Sequence, residues 1–370
     1  MRLALRLAAK GYGSTSPNPM VGAVLVQRGK IIGTGWHHQA GQPHAEIEAL
    51  SDAKRHHRKT AGATLYITLE PCCTHGRTPP CTDAIKAAGI KRVVIGAIDP
   101  NPVHSGKSLT LLGRAGLKVT HGLLASEATR CNEAFNHWIV CGTPFVTVKA
   151  GMSLDGKIAT AAGESKWITS PRARAYGMKL RKGADAILVG VNTILADNPK
   201  LTWRGRDLRA KSRPANAIKQ KLLRRIVLDS HARTPPSAAV VSDRFAVNTI
   251  IVVTRAAPQK RVAALAAQGN VWVAPARRGR IDLNWLLQRL GREQVTNLLV
   301  EGGGEINGAF LGQKLAHRVV FFYGPRIIGG THSIKGVGGE GFNNLKQAIR
   351  LRDVQWRWTG PDLMLSARCD

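Results

Sequence analysis

The chain has 370 residues and a mass of 39.9 kDa, and its 44% hydrophobic and 21% charged residues exclude extended disorder. No apolar run approaches the roughly 18 residues that a membrane span needs. Against 23 Asp+Glu stand 54 Lys+Arg, a formal net charge of +31, which suits nucleic acid, anionic lipid or phosphorylated small molecules, or else a general basic bias.

The length suggests two domains. Met1–Lys10 carries Arg6 inside its apolar stretch and no small-residue cleavage site follows. It reads as a short amphipathic helix rather than a signal peptide, and a cytoplasmic protein is expected. Met20–Gln27 and Lys30–Trp36, parted by Arg28-Gly29, predict a hairpin. A helix is expected from His44, a strand over Ala63–Leu69 and a helix over Cys81–Ala88 closed by Gly89. A strand over Arg92–Ile98, a helix over Ser108–Ala115 closed by Gly116, and a strand over Leu117–Thr120 follow. Helical Ser126–Val140 ends at Gly142-Thr-Pro144, which places a boundary between domains 1–143 and 144–370. Beyond it, Phe145–Ala150 and Ala186–Val191 predict strands and Arg172–Lys182 a helix whose start is Ser170-Pro171. Val191–Pro199 reads as a strand-to-loop exit. Further strands are expected over 224–228, 249–254, 271–274, 295–300 and 318–323, and a helix over 282–290. The stretch 204–223 reads as a surface loop; Arg204–Arg225 holds nine basic residues and one acid. Both halves read as α/β.

Six cysteines occur and three fall within ten residues, at 72, 73 and 81. Without a secretory signal, such clustering points to a metal rather than to disulfides. Pro43-His44-Ala45-Glu46 opens one helix, Pro71-Cys72 opens a loop after a strand, and Pro80-Cys81 opens another helix. His44, Cys72 and Cys81 make three protein ligands for Zn²⁺ and leave a fourth position for water, the pattern of a catalytic zinc site. Glu46 is too close to His44 to be a comfortable fellow ligand and is better placed to move protons between water and substrate. This is the arrangement of zinc nucleobase deaminases. Cys73 and His75 compete as ligands on chemical grounds; Cys72 is preferred because Pro71-Cys72 matches the Pro-Cys step. The spacing departs from Pro-Cys-x-x-Cys, since eight residues separate Cys72 from Cys81.

In the second half, Val148–Lys157 is a strand running into a polar turn. Glu301-Gly-Gly-Gly-Glu-Ile-Asn-Gly308 places three glycines between a buried strand and a helix, a turn through which backbone can approach a phosphate. It is not Gly-x-Gly-x-x-Gly, so a Rossmann fold is not expected.

Thr68-Leu-Glu-Pro-Cys-Cys-Thr-His-Gly-Arg-Thr-Pro-Pro-Cys81 resembles the motif of the bifunctional riboflavin-biosynthesis deaminase/reductase family. So do Pro17-Asn-Pro19, Val21-Gly22, His44-Ala-Glu46 and Asp99-Pro-Asn-Pro102, and the resemblance runs over nearly the whole chain. It implies a cytidine-deaminase-like three-layer α/β/α domain followed by a dihydrofolate-reductase-like α/β domain that uses NADPH. It implies hydrolytic deamination of a phosphorylated aminopyrimidine, then reduction of its ribosyl group. Carried over, Gly151, Trp167, Thr193, Asp197, Ser230 and the turn Gly303, Gly304, Glu305, Ile306, Asn307, Gly308, Ala309 resemble cofactor positions. Ser165, Arg181, Leu201, Arg204 and Glu301 resemble substrate positions, with Lys149 and Glu301 orienting the ribose. Arg233 is a candidate for the 2′-phosphate. Dimerisation through the second half would fit the family. Two rival readings compete. A tRNA-type nucleic-acid deaminase suits the charge, but the Cys-x₈-Cys spacing and the 5% aromatic content do not fit it. A non-enzymatic zinc module would need Cys73 or His75 as a fourth ligand.

Overall fold

The computed structural model describes residues 1–75, 79–203 and 223–370. The chain divides into two compact units, Met1–Gly142 and Thr143–Asp370.

Unit 1 is built on a five-stranded sheet, ordered β2-β1-β3-β4-β5, from β1 (Gly22–Gln27), β2 (Lys30–Trp36), β3 (Thr64–Leu69), β4 (Arg92–Ala97) and β5 (Lys118–His121). β1 is antiparallel to β2 and β3, and β3, β4 and β5 run parallel. Arg28 and Gly29 both adopt positive φ, 49° and 74°, as a two-residue hairpin turn requires. Helices α2 (Ala45–Arg55), α3 (Cys81–Ala87) and α4 (Lys107–Arg114) cover one face. α1 (Arg2–Ala8) and α5 (Ala125–Cys131) cover the other, which makes three layers. α6 (Glu133–Cys141) completes the unit. The helix expected over 126–140 is two helices, because Asn132 leaves helical geometry. Its carboxamide accepts from Met20 N at 2.7 Å and donates to Met20 O at 2.9 Å, tying the break to the segment before β1.

One packing detail sets the position of the metal-type residues. Ala45, Ala49 and Ala53 repeat at every fourth position and are fully buried. They meet Gly33 and Gly35 of β2, where an added Cβ would stand 2.4 Å from the carbonyl oxygens of Ala49 and Ala45. Small residues on both sides let α2 lie directly on the strand, and this close approach fixes where its N-terminus, His44, stands.

Unit 2 is built on a nine-stranded sheet ordered β11-β10-β9-β8-β14-β6-β15-β18-β17. Its strands are β6 (Phe145–Ser153), β8 (Ala186–Gly190), β9 (Arg224–Leu228), β10 (Thr249–Thr254), β11 (Asn270–Ala274), β14 (Asn297–Val300), β15 (Arg318–Gly324), β17 (Leu351–Thr359) and β18 (Asp362–Cys369). The pairs from β11 to β15 are parallel, and β18 and β17 are added antiparallel at the edge. Two small ribbons pair β12 (Ala276–Arg277) with β13 (Arg280–Ile281) and β7 (Lys157–Ala159) with β16 (Ile334–Lys335). α11 (Leu283–Arg292) and α12 (Gly304–Gly312) pack on one face. α7 (Pro171–Gly183), α8 (Val191–Asp197), α9 (Ala239–Ser242) and α10 (Gln259–Ala266) pack on the other. Ser170 caps α7, its hydroxyl accepting from Ala173 N, with Pro171 at the first helical position. The segment 191–197 corrects a sequence expectation. It is a helical turn and not a loop, because Val191 and Ile194 on one side fall into the core under β8. The C-terminal hairpin and α10 add elements the sequence reading omitted.

Candidate functional site

In unit 1, His44 is the N-cap of α2, Cys81 begins α3, and Cys72 lies in the loop that leaves β3. Among the described residues these three form the metal-type cluster, with ligand atoms all within 4.8 Å of one another. His44 Nδ1 is 3.6 Å from Cys72 Sγ and 3.3 Å from Cys81 Sγ. Tetrahedral Zn²⁺ with ordinary Zn–S and Zn–N bonds separates such donors by about 3.5–3.8 Å, so the set fits the ion. Cys73 does not join it; its Sγ stands 3.6 Å from His104 Nδ1 instead. His75 is exposed outside the cluster.

The charge states suit a metal. The Cys81 thiol hydrogen-bonds Cys72, and with the His44 contact and Cys81 N at 3.3 Å it holds the Cys72 thiol down at about 4. The hydrogen bond with Cys72, and then burial, push the Cys81 thiol up, so without a cation only one of the pair ionises. A divalent ion would let both do so. Cys81→Ser is expected to abolish stoichiometric zinc in the purified protein, measured by elemental analysis; an unchanged metal content would remove Cys81 from the ligand set.

Glu46 sits on the first turn of α2 with 3% of its surface exposed. Burial, then the neighbouring Cys72 charge, raise its carboxyl to about 7. A carboxyl poised there can both take and return a proton at neutral pH.

Sequence reasoning missed two supporting groups. His37, 2% exposed, lies with its ring centroid 5.2 Å from that of His44 in an edge-on contact. Burial pulls it down to about 4, so it is neutral: Nδ1–H donates to Pro43 O at 3.0 Å and Nε2 accepts from Asn18 Nδ2 at 3.1 Å. Buried Glu70 accepts from the backbone N–H groups of Asp99, Gly106 and Ser108 and from the Ser108 hydroxyl. That fixes the loop next to Cys72. His37 follows a strand and Glu70 ends one, positions that signal only burial when read in sequence.

In unit 2, a cleft of about 1060 Å³ opens where β9, β8, β14 and β6 end. Carboxyl ends of parallel strands are the usual ligand position in such sheets. Of the cofactor-type residues, Gly151, Thr193, Asp197, Ser230, Gly303, Gly304, Glu305, Ile306 and Ala309 line it. Three others do not. Asn307 is buried and donates to Gly336 O at 2.8 Å, and Gly308 packs where a Cβ would meet Gly338 O at 2.1 Å. Trp167 is 61% exposed and stacks on Arg174, 4.3 Å from its centroid. At Gly303 an added Cβ would meet nothing within 4 Å, so this backbone is bare toward the cleft at the start of nine-residue α12. A glycine cradle at a helix N-terminus fits a dinucleotide diphosphate.

Lys149, Ser165 and Glu301 line the same cleft. Arg181 Nε and Nη2 donate to Glu301 at 2.9 Å each, Arg181 Nη1 donates to Thr202 O at 3.0 Å, and Lys149 Nζ is 3.8 Å from Glu301. Burial would raise the Glu301 carboxyl, but the Lys149 and Arg181 charges outweigh it and hold it at about 2. Arg181 therefore has two of its five N–H groups left for a ligand. Leu201 buries its side chain in the core at 2% exposure, so it can present only backbone. Arg204 lies outside the described residues, as does most of the basic loop.

The two units thus define a zinc-deaminase-type centre joined in one chain to an α/β unit with a dinucleotide-sized cleft. Residues 1–97 match the cytidine and deoxycytidylate deaminase zinc-binding region, and residues 144–365 match the RibD C-terminal domain. The chain is 42% identical over 365 residues to the riboflavin biosynthesis protein RibD of Actinobacillus pleuropneumoniae, covering 99% of this chain and 93% of the relative. Acinetobacter baumannii RibD superposes with a TM-score of 0.85 at 31% identity, over 100% of this chain and 97% of that one. The Thermotoga maritima diaminohydroxyphosphoribosylaminopyrimidine deaminase/5-amino-6-(5-phosphoribosylamino)uracil reductase superposes at 0.84 and 32% over the same shares. The chain belongs to the RibD family of riboflavin biosynthesis proteins, with a cytidine-deaminase-like first unit and the dihydrofolate-reductase-like RibD reductase fold in the second.

Proposed function

We propose that the chain performs two successive steps of riboflavin biosynthesis. The first is hydrolytic deamination of 2,5-diamino-6-(5-phosphoribosylamino)pyrimidin-4(3H)-one, and the second is NADPH-dependent reduction of the ribosyl group to ribityl. The observation that carries the first step is the set of three donors at zinc-ligand spacing, with the buried Glu46 carboxyl on the first turn of the helix that His44 opens. Zinc, when bound, acidifies water toward neutral pH and so supplies the nucleophile. His44, Cys72 and Cys81 hold the ion. Glu46 takes the water proton and returns it to the exocyclic nitrogen, which leaves as ammonia while the ring carbon keeps the oxygen. His37, neutral and clamped by Asn18 and Pro43, keeps the His44 side of the pocket rigid.

In unit 2, NADPH supplies the hydride that reduces the sugar C1′ in its open-chain imine form. Lys149 reaches into the cleft and is held by Glu301, which also locks Arg181; this network orients the ribose hydroxyls and the phosphate end. A nucleic-acid partner is not part of this reading, despite the basic charge. No helix among the described residues is long and apolar enough to cross a membrane, and the free thiols of the zinc-type cluster suit the reducing cytoplasm. A homodimer or higher homo-oligomer is part of this reading. Its support is edge strand β17, which leaves Trp356 and Trp358 54% and 76% exposed.

Zinc-stripped protein given the diaminopyrimidine ribosyl phosphate is expected to release no ammonia, and added Zn²⁺ to restore release. Full release from stripped protein would contradict the reading.

A further inference from the structure

After β15 the chain runs as a strap, 325–339, before it returns to the sheet at β17. Ser333, Ile334, Lys335, Gly338 and Gly339 of this strap line the cleft of unit 2. Its inner part is stapled from two sides. On one side β16 pairs with β7, and Gly336 N donates to Gly156 O at 2.8 Å. On the other, Gly336 O accepts from Asn307 Nδ2 at 2.8 Å, and Gly338 N donates to Gly304 O at 2.9 Å. This second contact is backbone on backbone, since an added Cβ at Gly304 would stand 2.1 Å from Lys335 O. Asn307 and Gly308, which do not line the cleft, thus seat the strap on α12. The strap and the glycine turn are adjoining walls of one cleft, and close-packed walls cannot shift independently.

The outer part of the strap is held differently. Over 327–330 there is no regular element. Gly329 and Gly330 take positive φ, 64° and 77°, and Ile327 is 77% exposed, so neither a ladder nor deep burial fixes this stretch. Its ties come from one carboxylate far away in sequence. Asp155 Oδ1 accepts from Ile328 N at 3.0 Å, and Asp155 Oδ2 accepts from Gly329 N at 2.7 Å. Beside them Leu154 N donates to Arg326 O at 2.7 Å. Fully buried Ser153 aims the carboxylate, its hydroxyl donating to Asp155 Oδ1 at 2.6 Å and accepting from Lys157 N at 2.9 Å.

The Ser153 hydroxyl, then the Ile328 and Gly329 N–H groups, hold the Asp155 carboxyl at about 2. It is therefore ionised at neutral pH and its bonds are charge-assisted. A turn that only reversed the chain would be complete with the Gly156 N to Ser153 O bond and Gly156 at φ 78°. The Ser153 contact belongs to such a turn, whereas the bonds to Ile328 and Gly329 do not. Asp155 itself does not line the cleft.

We propose that Asp155 is a positioning residue for the cofactor cleft: it holds the 325–339 strap in place, and through the strap it sets how tightly NADPH binds without touching the cofactor. This deepens, and rests on, the reading that unit 2 binds NADPH. A strap that is in place for only a fraction of the time weakens apparent affinity by that fraction and leaves the bound state unchanged. The effect therefore falls on cofactor affinity and not on the rate at saturation.

The test uses the full chain with NADPH itself as the probe. Asp155→Asn keeps one acceptor oxygen, and Asp155→Ala keeps none. The first is expected to weaken NADPH binding by about 10-fold in calorimetric titration, and the second by more. The reductase kcat at saturating NADPH should stay within about twofold, and ammonia release should not change. In wild-type protein, NADPH should slow amide hydrogen exchange over 325–339, and in the cofactor-free Asn variant the same stretch should exchange faster. Unchanged NADPH affinity in the Asn and Ala variants overturns the proposal. So does a lower kcat at saturation with affinity intact, or an equal fall in NADPH affinity, ammonia release and melting temperature, which marks a merely structural turn. Wild-type protein that binds NADPH without any change of exchange over 325–339 overturns it as well. Wild-type protein that binds no NADPH overturns the cofactor reading on which it rests.

Discussion

Glu46→Gln is expected to lower ammonia release by about 10²–10⁴-fold while zinc content stays stoichiometric. The amide keeps the volume and shape of the carboxyl but cannot accept a proton at neutral pH. Glu46 is nearly sealed from solvent, so no other carrier reaches the same atoms easily. The fold should not suffer. Burial raises the carboxyl from its ordinary value to about 7 in the metal-free protein. The ionised form is therefore disfavoured by folding, and its stability contribution falls as pH rises between about 4.5 and about 7. Removing the charge relieves that, so the metal-free variant should melt no lower than metal-free wild type at pH 8. Full deamination by this variant would remove Glu46 from the chemistry.

Glu301→Ala is expected to abolish NADPH oxidation, and Lys149→Ala to slow it, while ammonia release persists in both. Glu301 makes two charge-assisted bonds to Arg181 and stands 3.8 Å from Lys149, and its side chain is 11% exposed. Removing it leaves two cations facing each other in a largely closed site. Breaking a buried pair in this way costs about 3–5 kcal/mol, so unit 2 should also unfold at lower denaturant. Acid should act in the same direction. The folded-state value of Glu301 lies below its ordinary one, so its contribution is present above about 4.5 and is lost as pH falls toward about 2. Equal loss of both activities, with an intact melting profile, would mean that the two sites are coupled in a way this assignment does not contain.

The metal-type residues were legible because their chemistry is carried by residue type. A histidine and two cysteines at strand and helix ends have few other uses together. The glycine turn 302–304 was legible for a related reason, since side chains are excluded there. Contacts distant in sequence were not legible. Nothing near Arg181 names Glu301 as its partner, and the bidentate pair turns a residue read as a substrate position into one largely committed to the protein. Asn307 and Gly308 fall inside a motif that faces the cleft, but helix α12 turns them away toward the 336–338 backbone. Short elements were misread where local polarity masks packing. α8 has only two buried apolar positions, and β17 alternates Val354, Trp356 and Trp358 with polar Gln355 and Arg357 on a strand left exposed.

The most direct measurement follows ammonia and NADPH absorbance together after 2,5-diamino-6-(5-phosphoribosylamino)pyrimidin-4(3H)-one is added to the zinc-loaded full chain. Ammonia should appear first and NADPH should then fall by an equal amount. Ammonia without NADPH loss would contradict the assignment of the second cleft. Neither signal, from folded and zinc-loaded protein, would contradict the account as a whole.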